Sequence, residues 1–229
     1  MHFDLAKIPA SDAYKLLVST VVPRPIALAT TVDRDGRVNA APFSFFNAVS
    51  SVPPVVVPGI SPGVNGGDGY KDTERNIRET GEFVVNLVDE ALAERINICA
   101  VDFPNDVAEL DIAELTPAPS AEIRPPRIAQ SPVSFECRRI TGLSLGPRSM
   151  LEVGRVIHIH IRDDLVDPAK LYVATERIGL IGRMHGRGWY ARTSDLFLMD
   201  RLSREDWEAR QRSGGAGEEQ PAVSPQAAG

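Results

Sequence analysis

β-Forming runs follow one another along this chain with few helical intervals between them. Residues 26–32 (IALATTV), 52–57, 83–88, 132–140, 151–161 and 171–175 are rich in β-branched side chains and bounded by turn residues, the signature of strands. Asp33-Arg34-Asp35-Gly36 reads as a turn between two strands, because glycine takes positive φ without a Cβ clash. Within 156–161, Ile157, Ile159 and Ile161 alternate with Val156, His158 and His160, the period of a half-buried strand with the histidines on its polar outer face. Helical signals are confined to a few places. Residues 73–80 end at Gly81, a usual helix-closing residue. Leu92, Ile96 and Cys99 share one face of a helix predicted over 89–100. Strands that do not alternate with helices argue against a doubly wound sheet. The expected class is mainly β (α+β), an antiparallel barrel with peripheral helices.

Residues 213–229 (SGGAGEEQPAVSPQAAG) have no apolar period and cannot bury enough surface to offset the entropy of ordering. They are expected to form a disordered tail behind one domain spanning 1–212. Ser203-Arg204-Glu205-Asp206 looks like the capped start of a short helix carrying Trp207. The formal charge is −6, from 25 Lys and Arg against 31 Asp and Glu. No cationic block is present to neutralise nucleic-acid phosphates, so no nucleic-acid partner is expected. No apolar run approaches the ~18 residues of a membrane helix, and the N-terminus lacks a basic-then-apolar signal. Cys99 and Cys137 stand apart from each other and from any His cluster. They read as buried thiols of a cytoplasmic protein, with no metal site.

Three segments carry candidate chemistry. In GISPGVNGGDGYKDTERNIRET (59–80), a glycine-rich loop feeds Lys71-Asp72-Thr73 into a helix. A helix N-terminus with an ammonium and a hydroxyl is an anion site, although neither the Walker spacing nor GxGxxG is present. The same residues also make a surface loop with an N-capping Thr73 and a solvated Lys71. Asn39-Ala-Ala-Pro-Phe-Ser-Phe-Phe-Asn47 concentrates aromatics beside Ser44 and Asn47; it suits a planar ligand or, equally, a core strand and turn. Arg24 sits between Pro23 and Pro25, a stiff mount for either a phosphate contact or a salt bridge. His158 and His160 share a strand face without a third metal ligand. His185 and Tyr190 lie in the Gly-spaced segment 182–192 (GRMHGRGWYAR), a loop where a side chain can face a ligand. No nucleophile elbow and no Cys/His arrangement is visible.

Taken in order, PRPIALATT (23–31), DGRVNAAPFSFFNAVSS (35–51), Pro53-Pro54, KDTERNI (71–77) and GEFVVN (81–86) resemble the flavin reductase-like family of FMN-binding split β-barrels. Segment 182–192 is similar to that family's closing motif, so the resemblance spans roughly 10–200. It implies a homodimer with FMN at the subunit interface, in the cytoplasm. Residue by residue, it implies that Arg24, Lys71 and Thr73 hold the FMN phosphate, with Ser61 nearby. Ser44 and Asn47 then meet the ribityl chain and ring edge, with Phe45 and Phe46 packing beside them. His185 and Tyr190 fall on the substrate side, without a defined catalytic residue. The stretch 57–70 is longer than compact versions of the family, which loosens the placement of Ser61.

The activity implied is NADH- or NADPH-dependent reduction through FMN, with free flavin or a small aromatic such as a nitro compound as acceptor. A monooxygenase would be a partner if free flavin is the product. The alternatives are an FMN electron carrier that docks to a redox partner, and a barrel that has lost the cofactor. Retention of Arg24, Lys71 and Thr73 weighs against the last.

Overall fold

The structure, a computed structural model, describes residues 1–62, 69–101, 103, 109–147, 149–186 and 188–212. The chain begins with α1 (Ala10–Thr20), β1 (Arg24–Pro25), β2 (Ala27–Val32), β3 (Val38–Phe43), β4 (Phe46–Ser51) and β5 (Pro54–Ile60). Next come α2 (Asp72–Thr80), β6 (Glu82–Leu87), α3 (Ala93–Ile98) and α4 (Glu109–Ile112). Short β7 (Pro117–Ala118) and β8 (Arg127–Ile128) lead into a long hairpin of β9 (Val133–Gly146) and β10 (Ser149–Ile161). The remainder is β11 (Val166–Asp167), β12 (Tyr172–Val173), α5 (Thr175–Ile178), β13 (Ile181–Arg183), β14 (Tyr190–Arg192) and α6 (Arg204–Arg212). Two compact units result, Met1–Thr193 and Ser194–Gly229. The sequence reading places the end of the domain later, at 212; its tail, 213–229, lies outside the described residues.

The first unit is built on a seven-stranded sheet in the order β3-β2-β6-β9-β10-β5-β4, every pair antiparallel. Strand β2 is buried along its whole length and separates two cores. Leu28 joins Leu92, Ile96 and Ile128 on one side, whereas Ala27 and Ala29 join Ile77, Phe83 and Val85 on the other. This is the period-2 alternation of a strand covered on both faces. Gly154 of β10 is required by that packing. A Cβ there would stand 2.2 Å from Phe83 Cζ and 3.3 Å from Cys137 Cβ. Cys99 and Cys137 are free and buried in different cores, and burial pushes the Cys99 thiol up to about 11.

Several expected elements take a different form. The strand expected at 52–57 begins at Pro54, because Val52 and Pro53 form the turn that joins β4 to β5. The helix expected over 89–100 opens as a 3₁₀ turn, with Asp89 accepting from the Leu92 N–H at 3.1 Å, and becomes α-helical only from Ala93. In 171–175 only Tyr172 and Val173 pair, and Thr175 opens α5. Thr73 is not the cap of α2. Lys71 occupies that position and Thr73 is the second helical residue, within the first turn, while Gly81 closes the helix at φ 73° as expected. The alternation in 156–161 is broken by a bulge between Val156 and His158. Ile159 is therefore exposed, and the His160 ring turns in to meet Glu136 Oε1 at 2.5 Å instead of lying on an outer polar face. The helix at 204 forms as read, with Ser203 Oγ accepting from the Asp206 N–H at 3.0 Å.

Candidate functional site

One cavity of about 620 Å³ brings together Arg24, Ser44, Phe45, Phe46, Asn47 and Ser61. That volume lies within the roughly 300–1,000 Å³ typical of small-molecule sites. Its remaining wall is mostly apolar, with Leu17 and Val21 from the first helix region, Val57 and Ile60 from β5, and Leu145, Met150 and Leu151 from the β9–β10 hairpin.

Arg24 is the one charged residue in that wall among the described residues. It is only 6% exposed. Its Nη1 donates to the main-chain carbonyls of Val18 at 2.7 Å and Val21 at 3.0 Å, and its Nη2 to that of Met184 at 2.7 Å. Its Nε reaches Ser44 Oγ at 3.5 Å, the edge of hydrogen-bonding distance. The salt bridge read as one alternative for Arg24 is not formed among the described residues. No acidic side chain among the described residues pairs with Arg24; neutral carbonyls hold it instead. A guanidinium has five N–H donors, so one at Nη2 has no partner among the described residues. Burial lowers the Arg24 pKa from its ordinary value; nearby Tyr14 opposes this and the Arg183 cation adds to it. The guanidinium nevertheless stays charged, as arginine does in proteins.

The turn between β3 and β4 forms the aromatic side of the cavity. Phe45 meets Tyr14 of α1 edge-on, with ring centroids 6.5 Å apart, and its ring centroid lies 6.0 Å from Arg24 Cζ. The Phe45 carbonyl accepts from the Gly59 N–H at 2.6 Å. A Cβ at Gly59 would come within 3.0 Å of Phe45 Cβ, so glycine permits this close approach. Phe46 packs against the second core, whereas Asn47 is exposed and folds its Oδ1 back onto the Ala48 N–H at 2.8 Å. Ser61 is exposed just beyond β5. Residues 63–68 of the glycine-rich stretch lie outside the described residues.

Lys71 and Thr73 are not part of the cavity wall. Thr73 is 1% exposed, and its hydroxyl accepts from Asn39 Nδ2 at 2.8 Å. Lys71 is half-buried at the start of α2. His185 and Tyr190 are also outside the wall. They belong to the β13–β14 hairpin, where His185 lies 5.9 Å from Trp189 and Tyr190 takes the Arg183 guanidinium on its ring at 4.7 Å. That hairpin is nonetheless joined to the cavity through the Arg24–Met184 bond. His158 and His160 stack at 4.8 Å, and no group of three or more His, Cys, Asp or Glu among the described residues is placed to hold a metal. Sequence reasoning missed Leu17, Val21, Leu145, Met150 and Leu151. The only sequence trace of that wall is apolar residues near element ends, which no motif distinguishes.

A flavin reductase like domain model matches residues 18–180. The chain belongs to the flavin reductase-like family. Its split-barrel fold and flavoprotein character follow from that membership. Among relatives of this flavin reductase-like chain, an uncharacterized Deinococcus radiodurans protein is 41% identical over 219 residues, covering 92% of this chain and 95% of the relative. Pseudomonas fluorescens 2-nitrobenzoate 2-nitroreductase NbaA is 32% identical with a TM-score of 0.81, over 89% of this chain and 98% of that one. Nitrilotriacetate monooxygenase component B from Bacillus cereus is likewise 32% identical with a TM-score of 0.81, over 87% and 98%. No helix among the described residues is long and apolar enough to cross a membrane.

Proposed function

We propose that this chain is a cytoplasmic FMN-dependent reductase that takes electrons from NADH or NADPH and passes them to free flavin or to a small aromatic acceptor such as a nitro compound. The observation that carries the reading is Arg24: a buried cation with no carboxylate partner among the described residues, in the wall of a large, otherwise uncharged cavity. Burying a charge without a counter-ion is costly. A ligand that brings an anionic group and a flat apolar body offsets that cost. FMN has both.

The donor set fits such a ligand. Among the described residues Arg24 has a spare Nη2 donor, and Ser44, Asn47 and Ser61 present hydroxyl and amide groups along the same wall. Lys71 and the first turn of α2 would supply the second positive end for the phosphate. Phe45, Val57, Ile60, Leu145 and Met150 exclude water from the flat part of the ligand. When bound, FMN supplies the hydride and electron transfer that protein side chains cannot. The His185–Trp189 end of the β13–β14 hairpin, fixed through Met184, would present the second substrate. Around the cavity Leu17, Val21 and Leu145 remain largely exposed, which supports closure by a second copy of the chain in a homodimer. The similarity to a monooxygenase component supports a monooxygenase partner.

Anaerobic titration tests the proposal. The purified protein is expected to take up FMN stoichiometrically and to lose the yellow absorbance on mixing with NADH or NADPH. Failure to bind FMN overturns the cofactor assignment. Bound FMN that neither nucleotide bleaches overturns the reductase reading in favour of an electron carrier.

A further inference from the structure

Apart from this cavity, the structure holds a buried pair of carboxyl groups with too few donors. Glu74, in the first turn of α2, is 1% exposed, and no donor group among the described residues reaches either of its side-chain oxygens. It lies against Glu152 of β10, which is 0% exposed. Glu152 is already held by Arg139 of β9, from Nε at 2.6 Å and Nη2 at 3.5 Å. Gly142 makes room for that contact, since a Cβ there would stand 2.5 Å from both Arg139 Nη2 and Glu152 Oε1. Among the described residues the cation within ion-pair distance of Glu74 is the half-exposed Arg78, whose Nε is 3.9 Å from Oε1.

Two facing carboxylates in a dry site cannot both stay ionised cheaply. One proton between them turns repulsion into a hydrogen bond. Arg139 stabilises charge on Glu152, which leaves the proton on Glu74. Burial, and then the Glu152 charge and hydrogen bond, push the Glu74 carboxyl from the ordinary 4.5 up to about 7, against the opposing pull of Arg78 and Arg139. Strands β2, β3 and β6 also pack against α2; β2 and β3 carry no charged residue, and Glu82 of β6 pairs with Arg124 at 3.7 Å.

We propose that Glu74, kept protonated against Glu152, is a positioning residue that fastens the first turn of α2 to β10. The placement of Lys71 and Thr73 relative to the cavity wall at Met150 and Leu151 then depends on a single shared proton. The proton-sharing part stands without any ligand; the consequence for FMN rests on the function proposed above.

The test uses the full chain, first without flavin. At about pH 6, where ordinary carboxyls are ionised, the infrared spectrum should show a carboxylic-acid C=O band that Glu74→Gln removes. The folded protein holds this proton to about 7 and the unfolded chain only to about 4.5. Melting temperature should therefore fall as pH rises through that interval and level off above it. Glu74→Gln should flatten that fall. No acid band in the wild type, or equal slopes in both proteins, overturns the shared proton. FMN affinity is then measured: Glu74→Gln should stay near wild type, and Glu74→Ala should weaken binding by roughly tenfold or more, the equivalent of about 1.4 kcal/mol. Unchanged affinity in Glu74→Ala overturns the positioning role. Absence of FMN binding in the wild type overturns the proposed function and leaves the shared proton to the first two readouts.

Discussion

Arg24 and Met184 are 160 residues apart, yet the Arg24 Nη2 donates to the Met184 carbonyl at 2.7 Å. The same guanidinium holds the carbonyls of Val18 and Val21. One side chain therefore ties the end of α1, the cavity wall and the β13–β14 hairpin together. Its charge is available to a ligand only because neutral carbonyls, and no carboxylate among the described residues, hold it in place.

Arg24→Ala strands three carbonyls, each worth about 1–3 kcal/mol when left unsatisfied and buried. A loss of about 3 kcal/mol corresponds to a fall in melting temperature of roughly 6–12 °C for a chain of this size. Arg24→Lys should recover little of it, because one compact ammonium cannot reproduce the planar fork. Thermal unfolding checks the first effect. Fluorescence titration with FMN should show at least about tenfold weaker binding in both variants; unchanged affinity would place the phosphate elsewhere.

Most strands and the glycine-closed end of α2 were legible because their signals are local. β-Branched runs such as 26–32 and glycines such as Gly36 and Gly81 act over a few residues, and both glycines take the positive φ expected of them. β3 and β4 were harder to read. They form the two edges of the sheet, where Asn39, Asn47, Ser50 and Ser51 interrupt any apolar period. Helix α1 buries only Val18 and ends in Val-Ser-Thr, so its stripe is faint. The motif residues of the β3–β4 turn did converge on one cavity with Arg24. The partners of Arg24, and the meeting of Glu74 with Glu152, are tertiary contacts that leave no mark on sequence spacing.

Lys71 and Thr73 belong to one proposed phosphate motif but should fail in different ways. Lys71→Ala removes a charge-assisted contact worth about 1.5–3 kcal/mol, a loss of roughly 10- to 150-fold in FMN affinity. Thr73→Val leaves the Asn39 amide without its buried acceptor and should lower stability by about 1–2 kcal/mol. Paired measurements of FMN affinity and chemical unfolding separate the two. Equal FMN affinity in Lys71→Ala and wild type contradicts the phosphate assignment.

The proposed homodimer predicts a vulnerable surface. Ile140, Leu143 and Leu145 of β9 and Ile159 of β10 are each at least half exposed, and Leu145 also lines the cavity. Leu145→Asp would bury a carboxylate in a subunit contact, a cost of several kcal/mol. The variant should sediment as a folded monomer and retain FMN poorly. A wild-type protein that is monomeric with FMN bound contradicts the dimer.

Glu136 contributes to the acid side of the stability profile. It is fully buried on β9, accepts the N–H groups of Ala121 and Glu122 at 2.7 and 2.8 Å, and meets His160. Burial alone would raise its pKa, but the Ala121 N–H, His160 and the Glu122 N–H together bring it below the ordinary value. A carboxylate depressed in the folded state contributes stability above its unfolded pKa and loses it as pH falls through the folded one. That loss therefore begins as pH drops below the ordinary 4.5. Glu136→Gln turns one acceptor oxygen into a donor facing a backbone N–H, so about 2 kcal/mol should be lost near neutral pH. The gap from wild type should narrow as the medium is acidified, because protonation removes the same charge from the native residue. Chemical unfolding from about pH 7 down to about pH 3 follows both effects; a gap that stays constant across that range would show that the Glu136 charge contributes nothing.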